Sequence, residues 1–293
     1  MKTCAPPDPD TRTPRFALPA LACDAHCHVF GPAAAFPYAP ERSYTPPDAP
    51  KERLAELHRR LGIERAVIVQ ASCHGSDNRA MLDAIAARPA ALRGVAIVDE
   101  GTSDAELQRL HQGGVRGVRF NFVRHLGGAP DMRFFERTVA RLVPLGWHLI
   151  LHLDAADIAE LAPLLRRLRL PFVIDHMGRV KAGDGLEQPP FRAFVELMRL
   201  ESAWVKLCGA ERVSSAGPPF HDALPFAAAL LAAAPDRVLW GTDWPHPNIA
   251  RHMPNDGDLV DLVPLIAPDA ALRQRLLVEN PARLYGFTLA ARA

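Results

Sequence analysis

The stretch Ala22-Cys23-Asp24-Ala25-His26-Cys27-His28-Val29-Phe30-Gly31-Pro32 opens the first of eight short apolar runs. Read as a strand, it ends in two histidines and a Gly-Pro turn. An open doubly wound sheet would place a glycine-rich phosphate loop there, and none is present. Working outward, further strand patterns lie at 66–70, 92–98, 115–121, 148–153, 171–175, 203–207 and 237–241. Several are near-continuous apolar runs, as expected of strands covered on both faces. Helical periodicity fills the gaps at 51–61, 77–88, 103–112, 132–145, 155–168, 190–201 and 220–233, and after the last strand at 259–266 and 269–280. Ser76, Ser103, Asp131 and Asp154 stand where N-caps belong. Eight strand-then-helix units predict one α/β domain, a (β/α)8 TIM-type barrel over residues 21–290. An extended, partly disordered arm over 1–20 precedes it, and residues 31–50 read as a long lid over the barrel mouth.

Composition narrows the partners. The 293 residues are 48% hydrophobic and 23% charged with net charge +1, so neither nucleic acid nor a membrane surface is indicated. No apolar run approaches the roughly 20 residues needed to span a bilayer. The opening MKTCAPPDPDTRTPRF lacks the apolar stretch of a secretory signal. Five cysteines, at 4, 23, 27, 73 and 208, show no CxxC spacing, which predicts a reduced, cytoplasmic protein. A monomer and a homodimer fit equally well.

Barrel active sites lie at the carboxyl ends of the strands. The polar residues there are His26 and His28, Ser72 and His74, Arg119 and Asn121, His152, Asp175 and His176, Cys208, and Asp243. His26 and His28 are two apart, so on a strand they share a face, read as the interior one, while Cys27 points outward. Imidazoles and a carboxylate suit a single zinc or similar ion with one position open for water. Asp243, in GTDWPHP, has a rival role as a simple helix cap. Arg119, Arg124 and Arg212 form a cationic group suited to planar acids. Tyr44, Ser72 and Asn248 add hydrogen-bonding groups, and the substrate expected is a small anion with more than one acidic group.

CDAHCHVFGP, VRGVRFNFV, VIDHMGR and WGTDWPHPN together, in this order, resemble the amidohydrolase superfamily. Within it the chain is similar to the branch containing 2-pyrone-4,6-dicarboxylate lactonase and 4-sulfomuconolactone hydrolase, from about Cys23 to Phe287. The resemblance implies a barrel that opens a di-acidic cyclic ester with water during aromatic-compound catabolism. Asp243 would be the general base, while His26, His28 and His176 polarise the carbonyl or hold the metal. Arg119, Arg124, Arg212, Tyr44, Ser72 and Asn248 would bind the acidic groups. The dicarboxylate enzyme works without metal and carries a tyrosine where this chain has His152. His26, His28, His152 and Asp243 instead resemble the mononuclear metal site of other members, which favours a bound zinc. Two further readings stand beside lactone hydrolysis: a zinc-dependent decarboxylase of an aromatic or muconate-type acid, and a catalytically silent binding protein.

Overall fold

The computed structural model describes residues 2–249 and 251–289. The outermost ends of the expected arm and barrel ranges, residues 1 and 290, lie outside them. Among the described residues one sheet is made of eight parallel strands: β1 Cys23–Cys27, β2 Arg65–Val69, β3 Leu92–Ala96, β4 Val115–Asn121, β5 His148–His152, β6 Phe172–Ile174, β7 Ala203–Lys206 and β8 Val238–Leu239. Each pairs with the next in chain order. Backbone bonds beyond the regular ladder close β8 onto β1: Ala25 N donates to Trp240 O at 2.8 Å, Asp243 N to His26 O at 2.7 Å and His28 N to Trp244 O at 2.8 Å. The result is the expected (β/α)8 barrel.

Apolar side chains divide into two layers. Val67, Val69, Val95, Ile150, Val173 and Leu239 fill the barrel with Tyr285 and Phe287. Tyr285 stacks edge-on against His148, the first residue of β5, so it plugs the end remote from the strand tips. The outer faces (Ile68, Val118, Leu149 and Ile174 among them) pack against the helices. Both layers are buried, which is why the strands read as continuous apolar runs.

Element ends differ from the expectation where proline and caps intervene. The helix Met132–Leu142 stops short of 145, and Val143–Leu145 forms a 3-10 turn. Pro144 has no N–H to continue the ladder. Ser103 caps by accepting from Glu106 N, and Asp131 by accepting from Phe134 N. Ser76 and Asp154 do not cap. Ser76 donates instead to Asp99, and Asp154 pairs with Arg179 at 3.3 Å.

One irregularity positions the site. Cys23 pairs with Arg65 and Asp24 with Ala66, but the next partners are Cys27 and Ile68. β1 therefore uses three residue steps where β2 uses two, a bulge. Before it Cys23 and Ala25 face the barrel interior; after it Cys27 packs in the outer layer. Unbroken alternation from Cys23 would have put Cys27 inside and both imidazoles outside. Asp24 fixes the bulge. Its Oδ1 accepts from His26 N and Thr242 N, each at 3.0 Å, and its Oδ2 accepts from Thr242 Oγ1 at 2.6 Å with His58 Nε2 at 3.2 Å.

Residues 31–50 leave β1 and return to it, with Phe30 and Ala49 exchanging backbone bonds. On the way Tyr44–Thr45 pairs in parallel with Lys2–Thr3. The arm then runs along the last helices, where Arg15 N and Phe16 N donate to Asp261 Oδ1 at 2.8 and 2.9 Å. Among the described residues no helix is long and apolar enough to cross a membrane.

Candidate active site

Asp243 follows β8 in a left-handed backbone conformation, φ 65°. That geometry is costly for a residue with a Cβ, and such positions are concentrated at functional sites. Its Oδ2 accepts from Arg212 Nε at 2.7 Å, with the same guanidinium's NH2 at 2.6 Å. Its Oδ1 faces three imidazoles: His28 Nε2 at 3.3 Å, His26 Nε2 at 3.5 Å and His176 Nε2 at 4.0 Å. All four side chains are buried. Burial alone would raise the Asp243 pKa; Arg212 and the imidazoles outweigh it and hold the carboxyl well below its usual range.

What each imidazole presents depends on its other nitrogen. His28 Nδ1 donates to Val69 O at 2.8 Å, so its Nε2 turns a lone pair toward Asp243. Two acceptors 3.3 Å apart call for a cation or a shared proton between them. His176 Nδ1 lies 3.3 Å from Cys208 Sγ, whose pKa burial raises well above the ordinary thiol value. The protonated thiol therefore donates, leaving N–H on His176 Nε2. His26 Nδ1 sits 2.9 Å from Lys206 Nζ and 3.1 Å from Asp175 Oδ1. Burial lowers the His26 pKa to about 3 and holds His176 and His152 well below their usual value, so all three are neutral near pH 7.

Beneath the imidazoles Asp175 collects charge, with Arg119 NH2 at 3.1 Å and Lys206 Nζ at 3.4 Å. Arg119 is thus engaged inside the barrel. Arg212 divides its fork between Asp243 and Pro247 O, at 2.9 Å. Above it opens a cavity of about 590 Å³, lined by Lys2, His125, Arg179, Glu211, Arg212 and Asn248 among others. Arg124 is exposed on the 3-10 turn Arg124–Leu126 and does not line it. Tyr44 is buried, with its hydroxyl 3.5 Å from Ser72 Oγ. Asn248 Oδ1 lies 3.6 Å from Cys4 Sγ.

Among the described residues, His26, His28 and Asp243 bring donor atoms within 4.8 Å of one another, and so do His26, Asp175 and His176. His152 stands outside both sets. Its Nδ1 is 3.3 Å from Asn121 Oδ1 and its ring centroid 5.4 Å from that of His176.

Three residues of the site escaped the sequence reading. Lys206 shares the alternation of Cys208, so an inward lysine was available as a signal. Glu211 is buried beside Arg212, and burial, only partly offset by Arg212, raises its pKa. Arg179 reaches the cavity through a left-handed turn in which His176, Met177, Gly178 and Arg179 all have φ between 49° and 61°. No local pattern announces such a turn in a sequence where only one of the four residues is glycine.

The amidohydrolase family profile matches residues 23–287. The chain belongs to the amidohydrolase family. This amidohydrolase is 50% identical over 281 residues to the 2-pyrone-4,6-dicarboxylate hydrolase of Comamonas testosteroni, covering 93% of this chain and 92% of that one. It is 46% identical over 274 residues to the 4-sulfomuconolactone hydrolase of Rhizobium radiobacter, covering 92% of each. Among solved structures it superposes with TM-score 0.81 and 28% identity on a "probable 2-pyrone-4,6-dicarboxylic acid hydrolase" from Acinetobacter baumannii with citric acid bound, covering 91% of this amidohydrolase and 100% of that chain.

Proposed function

We propose that this amidohydrolase opens the lactone ring of a small di-acidic substrate of the 2-pyrone-4,6-dicarboxylate or 4-sulfomuconolactone type, in the catabolism of aromatic compounds. One observation carries the reading: Asp243 lies buried with one oxygen held by Arg212 and the other facing three imidazoles, beneath a cavity rimmed by cationic side chains. Relatives that share half or nearly half of its residues hydrolyse such lactones by name.

In this scheme Asp243 Oδ1 takes a proton as water adds to the lactone carbonyl. The ring C–O bond then breaks and the proton passes to the departing ring oxygen, yielding a free acid. His176, with N–H at Nε2, stabilises the oxyanion, a role typically worth ~2.7–4 kcal/mol per donor. Arg212 keeps Asp243 ionised and aimed. Arg179, at the cavity, receives an acidic group, which an arginine fork accepts, while Arg212, its fork held by Asp243 and Pro247 O, adds only its charge at the cavity.

The donor set also fits a single zinc ion. The His28 lone pair and Asp243 Oδ1 face each other, and His26 Nε2 is buried with no hydrogen-bond partner. His26, His28 and Asp243 would hold the ion, with His152 a further ligand only if its ring swings toward them. Zinc there supplies Lewis acidity and a more acidic water. The cytoplasmic setting belongs to the same reading, supported by five free, buried cysteines.

The deciding assay is a lactone panel run with and without a strong chelator, with metal content measured on the same preparation. Turnover of a di-acidic lactone is expected; a preparation that opens none of the panel, metal-loaded or stripped, would exclude the reading.

A further inference from the structure

Lys206 is fully buried in the barrel, and its amine points at two groups. Nζ lies 2.9 Å from His26 Nδ1 in hydrogen-bond geometry and 3.4 Å from Asp175 Oδ1. Asp175 Oδ1 is itself 3.1 Å from the same His26 nitrogen, slightly farther than Lys206 Nζ, so the two compete for it. The two neighbours of His26 Nδ1 make opposite demands. A carboxylate partner requires a proton on Nδ1, which leaves the lone pair on Nε2 and makes the imidazole a good metal ligand. An ammonium partner has only donors to offer, so it takes the Nδ1 lone pair and leaves the proton on Nε2.

We infer that Lys206 holds His26 as the Nε2–H tautomer, so that His26 presents a proton to the reacting centre and gives up its place as a ready metal ligand. Lys206 acts through His26 and never touches substrate: it is a positioning residue. Cys208 plays the same part toward His176, and the Val69 carbonyl plays the reverse part toward His28. Of the three imidazoles facing Asp243, two then offer N–H groups and one a lone pair. That set favours oxyanion stabilisation by the protein's own donors, with metal binding weakened by the lysine behind His26. The inference rests on His26, His28 and Asp243 being the reacting centre, yet it fails separately, because a tautomer is read without substrate.

The test uses full-length, chelator-treated protein with 15N-labelled histidine. Two-bond imidazole correlations distinguish Nε2–H from Nδ1–H, with His26 assigned by its loss in His26→Gln. Wild type is expected to show Nε2–H at His26, and Lys206→Met to show Nδ1–H, now donated to Asp175. In competition titrations with a chromophoric chelator, Lys206→Met is expected to bind Zn(II) about tenfold more tightly than wild type. Structural damage would weaken binding, so a gain separates tautomer control from misfolding. An Nδ1–H His26 in wild type overturns the inference, as does a folded Lys206→Met variant with unchanged or weaker zinc affinity. Should that variant not fold, the wild-type tautomer alone decides.

Discussion

Arginine roles separate by what each guanidinium already holds. Arg119 is committed to Asp175 and Arg212 to Asp243, whereas Arg179 stands at the cavity, held by Asp154 and His125. Arg179→Gln should therefore raise KM for a di-acidic lactone roughly tenfold or more, the worth of one charge-assisted hydrogen bond, with kcat little changed. Arg124→Gln should leave both constants near wild type; steady-state kinetics on the two variants check this, and the opposite ranking would restore Arg124 as the anion-binding residue. His152 poses a different question. Its ring sits one imidazole away from Asp243, so its claim to a metal depends on a rearrangement the donor distances do not supply. If His152 is nevertheless a ligand, His152→Tyr lowers zinc content by elemental analysis. Unchanged zinc removes it from the set.

The element that makes the site is the bulge in β1. Strand alternation made His26 and His28 legible as neighbours on one face, with Cys27 on the other, and that pairing is present. Their place on the interior face, with Cys27 outward, was also read correctly; the bulge that puts them there was not legible, because it adds one residue without any marker in Ala25-His26-Cys27 and reverses the parity set by Cys23. The same limit applies at the other strand ends: Asp243, His246 and Asn248 have positive φ, a property that local pattern does not announce in residues other than glycine. Caps divided for a similar reason. Ser103 and Asp131 act locally and were readable, while Ser76 and Asp154 were drawn off by distant partners, Asp99 and Arg179. Asp24 holds the bulge through four contacts, two of them to Thr242 just beyond β8, one to His26 N and one to His58. Asp24→Ala orphans two buried backbone N–H groups and a hydroxyl, and should cost about 3 kcal/mol or more of unfolding free energy along with most activity. Asp24→Asn keeps an acceptor for the backbone and should lose less. Urea melts of both compare directly, and wild-type stability in Asp24→Ala would show that the bulge holds without it.

At the scale of the whole molecule the barrel was readable from eight apolar runs, and the site's general place from the residues that end them. The interior polar column was read only in part: Asp175 was marked as a strand-end residue, whereas Lys206 went unread although its alternation with Cys208 points it inward, and its pairing with Asp175 and His26 shows only once β7 is brought beside β1. That column has a cost in acid. His26 and His148 have pKa values lowered by burial to about 3, and His152 and His176 are also held well below the unfolded value of ~6.5. Below ~6.5 the unfolded chain binds protons that the folded chain refuses, so stability is full above that pH and falls as pH drops toward the lowered values. Each group contributes about 1.4 kcal/mol per pH unit in that window. His246 moves the other way, since Asp256 raises its pKa against the effect of burial, and it offsets only part of the loss. Chelated protein should show a lower urea midpoint at pH 5.5 than at pH 7.5 with unchanged m; an equal or higher midpoint contradicts the assignment of neutral buried imidazoles.

The measurement that bears most directly on the central claim is turnover of 2-pyrone-4,6-dicarboxylate and 4-sulfomuconolactone by wild type and by Asp243→Asn, each with its melting curve recorded. The expected result is ring opening of at least one of the two by wild type, and loss of roughly a thousandfold or more in kcat for a variant that melts as a folded protein, since it retains the shape but not the base. A folded Asp243→Asn that turns over either lactone near the wild-type rate would contradict it.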